Sequence, residues 1–342
     1  MIEKYYSGVI EQIYNRIGKE TRNIVMANYS NDFSIENLEV IRRYQSNEDN
    51  VFFAYSKFSY NTLVGAYEPF LDIICNMHRR FIGGSFDDFQ KECGVYYLHR
   101  QVLNSYYETG ECFREETVLL NEVAYEQRRM TMAIADMLKK LSEVKPLMIV
   151  INRFQMASKS SIETIKYLID NPCANIGIVL GVNAIVKGTD STVEVWDRIV
   201  ESLEDRSAIY YIGSAGPLKN NVKTTNDDEL YITMNFEQSI QEASNIMEFL
   251  DFEQARRGCR IIEHKLKFED AWIDEKSLRR FYMVYARTSV LLGEMSKAIE
   301  LTNEYKALIP ENDSEHYLSL YYFMKGTCYM YQGKLEKAGN SA

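Results

Sequence analysis

The sequence lacks the residue groupings that most catalytic and metal chemistry requires. Its six cysteines stand alone at 75, 93, 112, 173, 259 and 328, with no CxxC pair, and its four histidines, His78, His99, His264 and His316, are as scattered. Such spacing argues against a zinc cluster and against a disulfide framework. No GxSxG, no HExxH and no Cys/His pairing occurs, so the common signatures of hydrolases and metalloproteases are missing. Positive charge is short as well. The chain has 39 Lys and Arg against 49 Asp and Glu, a net charge of −10, which disfavours a general nucleic-acid surface. No apolar run approaches the ~18 residues of a membrane span. The N-terminal MIEKYYSGVIEQIY carries acids and no signal-peptide apolar core. No membrane partner and no direct nucleic-acid binding are expected, and a reduced cytoplasmic setting is the natural reading.

What is present is apolar residue in quantity, 46% of 342 residues, enough for about two buried cores. The clearest element is Lys145–Asp170, KPLMIVINRFQMASKSSIETIKYLID. Leu147–Ile151 is short, apolar and β-branched, as a strand buried on both faces of a parallel sheet should be. A polar turn and an amphipathic helix follow. Similar strands are expected at 23–27, 50–56, 176–182 and 208–213, alternating with helices at 2–18, 34–44, 86–93, 96–108, 115–141 and through 196–203. That alternation predicts a mostly parallel α/β sheet covered on both faces. Ligands of such sheets sit at the C-terminal strand ends, where Ala27, Ser56, Asn152 and Asn183 would gather.

The first strand, loop and helix invite comparison with the phosphate-binding pattern GxxxxGK[ST]. Its two glycines fall on Ala27 and Asp32, its lysine on Phe33 and its hydroxyl on Ser34. Only Ser34 fits, and a serine there also serves as a helix N-cap. Ala27 and Asp32 remove the glycines that let backbone N–H groups wrap phosphate. Phe33 removes the cation that would pair with it. A nucleotide-hydrolysing strand also ends in acids that hold magnesium, yet the central strand here ends in Asn152 and Arg153. Whether the strand ends open into a pocket or are filled by Phe33, Phe154 and Met156 is a question for the structure.

Past a polar boundary at 219–234 the pattern is helical only. Two helix pairs share an aromatic, two small residues and a later alanine: Tyr282, Ala286, Gly293 and Ala298, then Tyr322, Gly326, Gly333 and Ala338. A fainter first pair has Ala243 and Ala255, and Ala255→Ala298→Ala338 steps by 43 and 40 residues. Small residues at fixed offsets let antiparallel helices approach closely. With Pro310 near the end of the second pair, the region resembles tetratricopeptide repeats. The chain stops inside the third pair, so the natural protein is expected to continue beyond residue 342.

The order of elements resembles the STAND-class, AAA-like P-loop ATPases that precede helical repeats in bacterial regulators and cyclases. Their second motif is similar to MIVI-Asn152-Arg153-Phe154-Gln155-Met156-Ala157-Ser158-Lys159-Ser160-Ser161. Gln155, Ala157 and Ser161 keep its pattern, while two acids and a Trp are gone. Ala66-Tyr67-Glu68-Pro69-Phe70 resembles the family's aromatic entry to the helix after its second strand, and IGIVLGVNA its third-motif strand. The family's winged-helix segment is not evident. The resemblance implies a degenerate P-loop NTPase-like domain over residues 1–218, a linker at 219–234 and tetratricopeptide-like repeats over 235–342. It implies a non-catalytic pseudo-ATPase signalling module that binds a protein partner or downstream domain through its repeats. No catalytic residue, metal or cofactor is expected, with weak ATP binding the alternative. The output, a cyclase or transcription regulator, would lie downstream.

Overall fold

A computed structural model describes residues 2–29, 38–46, 50–59, 63–114, 120–183, 193–213, 236–268, 273–310 and 314–339. Asp32, Phe33 and Ser34 lie outside the described residues. The chain divides into two compact units: residues 1–110 with 128–230, and residues 111–127 with 231–342. Among the described residues no helix is long and apolar enough to cross a membrane.

The first unit is a parallel α/β sheet. Its helices are α1 (Ile2–Arg16), α2 (Glu39–Ser46), α3 (Phe70–Met77), α4 (Phe86–Glu92), α5 (Tyr97–Thr109), most of α6 (Val123–Val144), α7 (Lys159–Asp170) and α8 (Val193–Glu204). Its strands are β1 (Ile24–Tyr29), β2 (Phe52–Lys57), β3 (Leu147–Asn152), β4 (Ile176–Asn183) and β5 (Ile209–Ile212), in the order β2-β3-β4-β1-β5. Every pairing is parallel, as the alternation of strand and helix predicts. β3 and β4 are buried along their full length, the condition that makes a strand read as an unbroken apolar run.

Strand alternation divides the core. Met148, Val150, Val179, Val25 and Phe53 join Tyr6, Ile10 and Ile13 of α1 and Ile41 and Tyr44 of α2 in one cluster. Leu147, Ile149, Ile151, Ile178 and Leu180, fully buried, point to the opposite face. α1 crosses β4 over two glycines. A Cβ on Gly177 would lie 2.8 Å from Ile17 Cδ1, and one on Gly181 would lie 2.6 Å from the Tyr6 hydroxyl. Glycines inside a strand mark such close approach.

The second unit is helical: α9 (Phe236–Glu248), α10 (Phe252–Phe268), α11 (Glu275–Leu291), α12 (Met295–Ala307), α13 (Ser314–Tyr331) and α14 (Leu335–Gly339). Neighbours in sequence pack together, and α11 also packs on both α9 and α13. That is the pattern of stacked helix pairs. The helix expected over 115–141 starts later, at Val123, and residues 120–122 form a turn. Residues 111–114 and 120–127 belong with this helical unit, which no local feature of the sequence marks.

Candidate functional site

The strand order locates where a ligand of this sheet would sit. The chain leaves β1 towards β2 at one edge and leaves β4 past β1 towards β5 at the other. The connections leave these two neighbouring strands in opposite directions, and open α/β sheets hold ligands at the carboxyl ends of such strands. Tyr29 and Asn183 end the two strands there, paired in register. Asn152 at the end of β3 is aligned with Gly181, and Gly181 with Ala27. The expected gathering of strand ends is therefore present, although β1 runs on to Tyr29 and places Ala27 inside the strand rather than at its tip.

Among the described residues, Asn152 and Gln155 at these ends make hydrogen bonds through neutral amides. Asn152 is 1% exposed. Its Oδ1 accepts the Tyr29 phenol at 2.5 Å and the backbone N–H of Arg153 at 2.9 Å. Both lone-pair directions of that oxygen are thus engaged. Arg153 caps the short turn Phe154–Met156 with a left-handed backbone, φ 57°, a strained conformation for a side chain of that size. The amide bond to Asn152 holds the residue there. Behind it Gln155 is buried and accepts the Asn183 N–H at 3.3 Å. Phe154 is fully buried beside the Trp196 ring, 5.8 Å between centroids, and Met156 is buried too. These two side chains fill rather than line space.

Tyr6 of α1 completes the cluster over Gly181. Burial, with the phenols of Tyr29 and Tyr55 close by, pushes its hydroxyl well above the usual tyrosine value. It stays neutral at any physiological pH. Tyr6, Tyr29 and Gly181 carry the geometry of this site, and the sequence reading did not single them out. The one available signal was the i, i+4 spacing of Gly177 and Gly181 opposite an apolar helical stripe.

The structure also brings together two segments that the resemblance selected separately. The Tyr67 N–H donates to Ser160 Oγ at 3.0 Å, and the Ser161 hydroxyl donates to the Glu68 carbonyl at 2.7 Å. Ser158 caps α7, accepting the Ser161 N–H, and its hydroxyl lies 3.0 and 2.9 Å from those of Ser160 and Ser161. The Ser161 hydroxyl is committed to backbone and neighbouring serines. Glu68 folds back on the Gly65 N–H at 2.9 Å, and burial raises its carboxyl above the usual range.

In the helical unit the repeat signature falls on one recurring turn. The N–H groups of Leu250, Gly293 and Gly333 donate to the carbonyls of Met247, Val290 and Met330, each at 2.9 Å. The next residue in each case, Asp251, Glu294 or Lys334, donates five residues back, to Ile246, Ser289 or Tyr329. All three turn residues have positive φ, 69°, 77° and 71°. Ala255, Ala298 and Ala338 follow five residues after them. Ala243, Ala255, Ala286 and Ala298 are buried, while Tyr282, Gly326 and Ala338 are half-buried and Tyr322 is exposed. The first pair was faint in the sequence because Leu250 stands where its successors have glycine.

No family model and no curated protein matches the chain. The reading below therefore rests on the strand-end geometry and the recurring turn.

Proposed function

We propose that the chain is a non-catalytic, pseudo-ATPase-type signalling module, a P-loop-like sheet domain carrying a tetratricopeptide-like array that binds protein. The observation that carries the first half is the Asn152–Tyr29 pair. An acid that coordinates magnesium needs a free, charged oxygen facing the crevice. Here the corresponding residue is a neutral amide whose oxygen is taken up by a buried phenol and a backbone N–H. The remaining hydroxyl of the second motif, on Ser161, is likewise held by backbone. The Asn152–Tyr29 bond fixes one strand end to another, and neither Asn152 nor Ser161 carries a charge that could organise a metal-bound triphosphate.

The recurring αL turn, followed by buried Ala255 and Ala298, supports the second half. Three equivalent helix pairs stacked in series present an extended surface of first helices, the geometry with which helical repeats take partners. Calorimetric titration with Mg-ATP and a phosphate-release assay test the proposal. No binding heat at millimolar nucleotide and no phosphate above the buffer rate are expected. Saturable binding or turnover would overturn the pseudo-ATPase half.

A further inference from the structure

Residues 111–114 and 120–122 of the second unit lie outside its helices, and residues 123–127 are the first turns of α6. Residues 111–114 form neither helix nor strand, yet array side chains hold their backbone. The Cys112 N–H donates to Asn245 Oδ1 at 2.9 Å, and the Leu120 N–H donates to the Tyr331 hydroxyl at 3.2 Å. Side chains alternate as in an extended peptide: Cys112 and Arg114 are buried, while Phe113 between them is 63% exposed. Arg114 is the anchor. Its Nη2 donates to the Glu248 carbonyl at 3.0 Å and its Nε lies 3.9 Å from Glu248 Oε2. The other oxygen of Glu248 takes Arg287 of α11 at 2.9 Å. Gln127 closes the far end on the Leu250 carbonyl at 2.6 Å.

These contacts follow the repeat. Glu248 stands two residues before Leu250, and Tyr331 two before Gly333, so the first and third pairs use the same position. The contacts run from α9, beside α11, to α13. Two steps between packed helices amount to about 16–20 Å, and the six residue steps from Arg114 to Leu120 reach up to about 21 Å. Main-chain bonds to array side chains, with one buried charged anchor, are how a groove reads an extended peptide.

We propose that residues 111–114 and 120–122 are a built-in ligand of the helical array, and that the surface they cover recognises an extended peptide whose arginine takes the place of Arg114 on Glu248. This deepens, and rests on, the reading of the array as a protein-binding surface. A tethered segment acts at an effective concentration in the millimolar range, so the intact chain admits an outside peptide only when its own segment lets go.

The probe is a fluorescent peptide of residues 110–122, titrated into the full chain under reducing conditions and read by anisotropy. Arg114→Ala is expected to bind it at least ~10-fold more tightly than the unaltered chain. A peptide with Ala in place of its arginine should bind that variant at least ~10-fold more weakly, and Glu248→Gln should erase the difference between the two peptides. Should Arg114→Ala lose cooperative melting, Arg114→Lys carries the same comparison. A folded variant that binds no more tightly than the unaltered chain overturns the proposal, and leaves the array free to bind protein elsewhere. Hydrogen exchange of the unaltered chain gives an independent reading. Amides of Cys112 and Leu120 should exchange well ahead of the cores of α9 and α11, and exchange in step with those cores would mark the segment as an ordinary part of the fold.

Discussion

At the scale of single residues, Asn152 decides how the sheet domain is read. Its carboxamide joins β3 to β1 across β4, through a residue pair 123 positions apart. Replacing it by alanine removes the acceptor of the Tyr29 hydroxyl and of the Arg153 N–H, at an expected cost of ~2–3 kcal/mol in urea unfolding. Tyr29→Phe removes only one of two donors to the same oxygen and should cost ~1 kcal/mol. Gly181→Ala forces a methyl against the Tyr6 hydroxyl and should cost ~1–3 kcal/mol. Tyr6→Phe removes the oxygen it strikes, so the double variant should melt higher than the sum of the single changes predicts. Glu68 makes a pH prediction. Burial raises its carboxyl above the unfolded value of about 4.3, so the folded state holds that proton more tightly. The stability it contributes is complete below about pH 4 and is lost as pH rises through the folded value. Glu68→Gln, whose side-chain oxygen can still accept the Gly65 N–H, should flatten that part of a melting-temperature profile.

At the scale of elements, β3 and β4 were legible because full burial on both faces turns each into a short apolar run bounded by polar residues. Leu147–Ile151 and Ile176–Val182 lie wholly within observed strands. Helix starts were less legible. α6 begins eight residues after its expected start at 115, and Leu120, just before it, bonds instead to Tyr331, more than two hundred positions away. No periodicity records a partner at that distance. The recurring turn shows the same limit from the other side. Two of its three copies announce themselves by glycine, but Leu250 adopts the same left-handed backbone at φ 69° and hides the first. Leu250 is 2% exposed, and its side-chain burial offsets backbone strain that a glycine would avoid. At Gly293, exposed and at φ 77° with open space around it, nothing would offset that strain. Gly293→Ala should therefore cost ~1–2 kcal/mol, read from the denaturant midpoint at unchanged slope.

At the scale of the molecule, the chain has a parallel sheet domain whose strand ends are tied to one another and a stack of helix pairs that holds a stretch of its own chain. The candidate site was half legible. Spacing placed Asn152 and Asn183 at the strand ends and showed that the acids were missing. It could not show that Tyr29 of β1 bonds to Asn152 or that Tyr6 of α1 lies over Gly181. The neutral amide and its burial belong together, since burying a carboxylate without a counter-ion costs far more than burying an amide that is hydrogen-bonded. That link is the central claim. Its most direct test is the melting temperature of the full chain and of Asn152→Asp, each with and without millimolar Mg-ATP. A nucleotide present at 100 times its dissociation constant would add ~2.7 kcal/mol and raise the melting point by several degrees. The account predicts no nucleotide-dependent shift in either protein and a lower melting point for Asn152→Asp at pH 7. A rise of several degrees with Mg-ATP, in the unaltered chain or restored by the aspartate, would contradict it.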